Sequence, residues 1–185
     1  MATGTNGFVL TKNKAEEVLP YLTYLRINIS AGEKERYAQI MGVKEKYFDR
    51  ICQNIRDMVE IKRKNNLGVT IGLQMVLMPE DADQVIPLAK LGKELRPDYL
   101  VIKHCSDNED GDLGVNYSGY KKIYDILKEA ETYSDEDYKV VVKWSKIESG
   151  EKRSYQRCFG APFMLQISGS GLVAPCGMLF NERYK

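Results

Sequence analysis

The sequence lacks any apolar run near the length that a bilayer-spanning helix requires. It also lacks a charge imbalance: 27 Lys and Arg stand against 26 Asp and Glu, a formal net charge of +1. Nucleic acid and membrane surfaces, which select basic chains or amphipathic segments, are therefore not expected as partners. No signal peptide is visible at Met1-Ala2-Thr3, so the expected location is cytoplasmic. A GxSxG elbow, a phosphate-cradling glycine loop and a paired-carboxylate motif are all missing, as are repeats at a solenoid period and low-complexity segments. Histidine occurs once, as His104, followed directly by Cys105. Neighbours in a strand point to opposite faces, which is poor geometry for a shared metal.

What is present is a chain of 185 residues, long enough to bury a sizeable core, for which one domain plus an appendage is the natural count. Its four cysteines read as reduced thiols or metal ligands rather than disulfides. Cys52, in FDRICQNI, takes an apolar position on a helix, where a thiol behaves as a small hydrophobe. Cys158 and Cys176 bracket an expected β-hairpin, with strands over Phe163 to Ile167 and Leu172 to Ala174. Between them Ser168-Gly169-Ser170-Gly171 supplies the positive φ angles of a tight turn. Such a hairpin could bring the two thiols together at its open end as a candidate pair of cluster ligands. A pair alone falls short of the four ligands that structural zinc and most iron–sulfur clusters take.

Along the chain, strands alternate with helices. Asn13 to Leu22 reads as a short helix with Asn13 as its cap, limited by Pro20. Tyr24 to Ile29 is a strand by its β-branched and aromatic content, and Ser30 and Glu33 have capping-box spacing for a helix to Met41. Apolar residues recur at three and four over Glu45 to Asn65, one amphipathic helix. VTIGLQMVL after Gly68 is nearly continuous in apolar character, as in a parallel strand covered on both faces. A helix from Pro79 to Leu95, a buried strand from Asp98 to His104, a helix from Asn116 to Glu131 and a strand from Tyr138 to Trp144 complete the series, ahead of a charged linker from Glu148 to Arg157. This alternation implies βα units on a parallel sheet, curved by right-handed crossovers with helices outside.

Thr5-Asn6-Gly7, then LRINISAG, VTIGLQMVLMP and DYLVIKHC, resemble in order and spacing the second half of the radical S-adenosylmethionine (SAM) partial barrel. The run cysteine, twelve residues, Gly171, four residues, cysteine resembles the opening of the SPASM domain that follows such barrels and binds auxiliary 4Fe-4S clusters. The resemblance implies an incomplete (βα) parallel barrel over residues 1–147, from the end of its third strand, and a linker with a truncated SPASM-like hairpin over 148–185. Thr-Asn-Gly normally closes a strand, and that strand is expected to be missing ahead of Thr5. The resemblance also implies a parent enzyme that cleaves SAM reductively and abstracts hydrogen from a peptide or small-molecule substrate. The family's CxxxCxxC cluster motif has no counterpart here, and where many relatives read Ser and Asp this chain has Asn28 and Ser30. The chain is thus expected to be a C-terminal part of a longer enzyme, inactive alone, that associates with a missing N-terminal half or with itself through an exposed barrel edge.

By the same resemblance, Asn6, Asn28 and Ser30 would contact SAM, Gln74 and Lys103 the substrate, and Cys158 and Cys176 an auxiliary cluster. Each residue also has a structural reading. A capping box accounts for Ser30, hydrogen bonding inside a buried strand for Gln74, and a lysine stem reaching solvent for Lys103. His104 and Lys143, at strand ends, are further candidates, read as structural and solvated respectively. Two other functions compete with the enzymatic one: a non-catalytic scaffold that binds a partner, and an unrelated αβ barrel enzyme whose hairpin cysteines are incidental.

Overall fold

A computed structural model describes residues 1–107, 111–150 and 156–180. They fall into two units, one made of Met1–Cys105 with Asn116–Gly150, the other of the described residues within 106–115 and 151–185.

The first unit holds a five-stranded parallel sheet in the order β1-β2-β3-β4-β5, formed by Ala2–Thr5, Tyr24–Asn28, Thr70–Leu77, Tyr99–His104 and Lys139–Val142. Strand order follows chain order with no reversal. Right-handed crossovers therefore carry every connection to the same side of the sheet, which is the construction of a barrel rather than of a doubly wound sheet. The arrangement matches an incomplete parallel barrel. Helices α1 (Lys12–Val18), α2 (Lys34–Met41), α3 (Lys46–Lys64), α4 (Val85–Leu95), α5 (Tyr124–Glu131) and α6 (Trp144–Ser149) accompany it. Leu25 and Ile27 of β2, Ile71, Leu73, Met75 and Leu77 of β3, and Leu100 and Ile102 of β4 are fully buried. With Ile55 and Met58 of α3 and Leu88 of α4, also fully buried, they make the core.

Several local expectations are corrected. A strand does precede Asn6: Ala2–Thr5 pairs with β2 from Ala2↔Tyr24 to Thr5↔Ile27. Asn13 lies inside α1, whose N-cap is Thr11. Ser30 does not cap α2, which begins after Glu33 and takes no side-chain cap. Instead the Gly32 and Glu33 amides both donate to Gln84 Oε1 at 3.2 Å, so a buried carboxamide from the segment before α4 satisfies the backbone there. A Cβ on Gly32 would stand 2.2 Å from the Pro87 carbonyl carbon, so only glycine permits this approach. Trp144 opens α6 rather than ending β5. β3 is buried on both faces at its centre, as its sequence leads one to expect, with Gly72 and Gln74 covered as well as Ile71, Leu73 and Met75.

In the second unit, β6 (Gln166–Ile167) pairs antiparallel with β7 (Val173–Ala174). Its turn is closed by Ser168 N–H to Leu172 O at 2.8 Å and Gly171 N–H to Ser168 O at 3.0 Å, with Gly171 at φ +85°. The hairpin is shorter than expected because Pro162 draws Ala161–Phe163 into a 3-10 turn. Phe159, Phe163, Leu165 and Ile167 are all exposed.

Candidate functional site

The two faces of the parallel sheet differ in chemistry. One carries the apolar core. On the other, alternation and register set Tyr24, Arg26 and Asn28 of β2 beside Thr70, Gly72 and Gln74 of β3. Val76 follows on β3, and Tyr99, Val101 and Lys103 lie beyond it on β4. A run that reads as continuously apolar in sequence thus has one dry and one polar side, because Gly72 and Gln74 interrupt it every second residue.

The polar face is built in tiers. At its base the Tyr99 ring lies across β3 over Gly72, where a Cβ would stand 2.0 Å from the ring, and its hydroxyl hydrogen-bonds that of Tyr24. Burial, and then this bond, push the Tyr99 phenol up, so it stays protonated. Arg26 is level with Gly72. One tier higher, Gln74 Nε2 donates to Asn28 Oδ1 at 2.8 Å. Gln74 is 4% exposed and Asn28 is open to solvent, so this bond joins the floor of the face to its mouth. Lys103 is half-buried, level with Val76. Its ammonium is pushed down by burial and then by the Arg26 charge.

Asn28, Gln74 and Lys103 therefore share one face, and the first two touch. Ser30 follows β2 by two residues and is 8% exposed; with its capping role gone, its hydroxyl has no side-chain hydrogen bond among the described residues. Asn6 is used by its own turn: its Oδ1 accepts from Phe8 N–H at 3.1 Å while Thr5 Oγ1 accepts from Gly7 N–H at 3.1 Å. Gly7, at φ +76°, is held by Asn54 Nδ2 donating to its carbonyl at 2.8 Å. His104 lies on the covered face, 5% exposed, with Nδ1 2.6 Å from the Cys105 carbonyl and its ring edge-on to Tyr117 and Tyr120. That is a structural setting. Lys143 is exposed at the start of α6.

Cys158 is exposed and Cys176 partly buried, both in the second unit. Among the described residues no group of three or more His, Cys, Asp or Glu is placed to hold a metal ion. No described helix is long and apolar enough to cross a membrane. Arg26, Gly72 and the Tyr24–Tyr99 pair are members of the site that sequence reasoning passed over. Their signal was the alternation Tyr24-x-Arg26-x-Asn28, a polar stripe inside a strand.

No family profile and no curated protein matches the chain. Solved structures do match. SuiB of Streptococcus suis bound to S-adenosylmethionine aligns with a TM-score of 0.66 at 13% identity, over 98% of this chain and 43% of SuiB. SuiB bound to the precursor peptide SuiA gives 0.65 at 14% identity, over 96% of this chain and 42% of SuiB. For anSMEcpe with bound AdoMet the values are 0.59 and 15%, over 98% of this chain and 51% of that one. These are radical SAM/SPASM enzymes. The chain has the fold of part of a radical SAM enzyme. At such identities the likeness is one of fold, and the chain spans about half or less of each of these structures.

Proposed function

We propose that this chain forms part of a radical SAM/SPASM enzyme, supplying one wall of the SAM pocket and of the substrate cavity. The observation that carries the reading is the polar face of the sheet: Asn28 and Gln74 stand together opposite the core, in a fold shared with structures that hold S-adenosylmethionine. SAM, when bound with a reduced cluster, supplies a radical able to abstract hydrogen from an unactivated carbon. Asn28, open to solvent and oriented by Gln74, suits a ribose hydroxyl, with Ser30 beside it at the end of the strand. Asn6 is the weakest of the three SAM contacts, since its carboxamide oxygen is already engaged. Gln74 and Lys103 line the substrate side, and the Tyr24–Tyr99 pair closes the base against water.

The residues present do not fit a 4Fe-4S cluster by themselves, since no three metal-binding side chains converge among the described residues. No step is therefore assigned to a cluster on this chain. In this reading the cysteine triad comes from a second polypeptide segment that pairs with an edge of the sheet. β1 has one neighbour, β2, and exposed residues Ala2–Gly4, which leaves its outer ladder available for that pairing. Cys158 and Cys176 would then be two of the ligands of an auxiliary cluster. The test is anaerobic iron reconstitution of this chain with and without a segment carrying CxxxCxxC, followed by assay of reductive SAM cleavage. Cleavage by the pair and not by the chain alone is expected. A reconstituted pair that binds iron and leaves SAM intact would overturn the enzymatic reading and favour a non-catalytic scaffold built on the same fold.

A further inference from the structure

The polar face carries cations without carboxylates. Arg26 and Lys103 belong to it by register, and no Asp or Glu occupies a strand position on that side. Neither cation forms an ion pair among the described residues, whereas Lys34, Arg36, Arg56, Lys62 and Arg96, at other positions, all do. Burial, and then the Arg26 charge, push the Lys103 ammonium down, so the two cations repel each other across the face. Holding like charges on one partly buried surface is unfavourable, and a bound anion would relieve it. A guanidinium also presents a planar fork matched to a carboxylate.

Gln74 adds a second element. Its Nε2 is committed to Asn28, while its Oε1 makes no hydrogen bond among the described residues. It is an acceptor held in place by Asn28, suited to an N–H of an extended ligand.

We propose that the substrate on this face is an acidic peptide: a Glu or Asp carboxylate binds between Arg26 and Lys103 while Gln74 Oε1 accepts a main-chain N–H. This deepens the reading above by naming the substrate class of the same face, and it rests on that reading for the face's use. Charge complementarity selects the carboxylate, and the preset amide acceptor selects a peptide over inorganic phosphate.

The test needs no SAM chemistry. A fluorescein-labelled peptide of alternating Glu and Gly is titrated with the full chain and compared with its Gln isostere by anisotropy. The Glu peptide is expected to bind about tenfold tighter, a preference that weakens with salt. Arg26→Gln and Lys103→Gln should each remove most of that preference, Lys103→Arg should retain it, and Lys14→Gln, remote on α1, should leave it unchanged. Equal binding of both peptides, or of neither, overturns the proposal. So does a preference that survives both substitutions, or competition by inorganic phosphate as strong as by the peptide. If the peptide preference holds while the reconstituted pair fails to cleave SAM, the enzymatic reading falls and the acidic-peptide site stands. The converse result leaves the enzyme and removes this substrate.

Discussion

Strand β3 presents two faces that obey different rules. Ile71, Leu73, Met75 and Leu77 bury completely against helices, while Gly72 and Gln74, the residues between them, serve a tyrosine ring and a carboxamide bridge. One face is filled with aliphatic side chains and the other carries polar ones. Both are low in exposure at their centre, so what separates them is whether polar atoms are present and what those atoms bond to.

The contrast can be broken most severely at Leu73. Leu73→Ala should cost about 2–5 kcal/mol in urea denaturation, since it leaves a cavity in a closed core. Gln74→Ala, its immediate neighbour, forfeits one hydrogen bond and should cost only about 0.5–1.5 kcal/mol. Equal losses would mean that the second face is also packed for stability. Next in size is Gly72→Ala, which drives a methyl group into the Tyr99 ring and should cost about 1–3 kcal/mol. Because the two positions collide directly, a double-mutant cycle with Tyr99→Ala should return a coupling of about 1 kcal/mol or more. Additive losses would show that the ring does not lie over Gly72.

A smaller effect tests the dry side by titration. Burial raises the Cys52 thiol to about 11. A thiol whose pKa is higher folded than unfolded contributes stability that is complete below its unfolded value and is lost as pH rises toward the folded one. The melting temperature should therefore fall as pH rises above about 9, and fall less steeply in Cys52→Ala. Smallest of all, an alkylating reagent at neutral pH should label exposed Cys158 well before Cys52. Comparable rates would mean that the face of α3 carrying Cys52 opens readily.

Periodicity made the elements legible. The apolar spacing of α3 and the β-branched strands survive almost unchanged, because helix and strand periods are written locally. Contacts between distant segments were not written that way. Ser30 and Glu33 have the spacing of a capping box, yet Gln84, some fifty positions along the chain, meets those amides instead. Asn6, expected to face a ligand, also accepts a hydrogen bond from Phe8 N–H within its own turn, which its sequence neighbours alone do not announce. Asn28 and Gln74 were read as belonging to different ligands, and only strand register reveals them as hydrogen-bonded neighbours. The Tyr24–Tyr99 pair could not be read at all without knowing that Gly72 lies between its members.

The backbone at Gly32 rests against Pro87 and Leu88 with no room for a methyl group, and Gln84 clasps the same turn through two amides. The loop leaving β2 is in effect riveted to the start of α4. Displacing it would break both amide bonds to Gln84 and the close packing on Pro87 and Leu88. The end of β2 that carries Asn28 is thereby tied to the segment that opens α4.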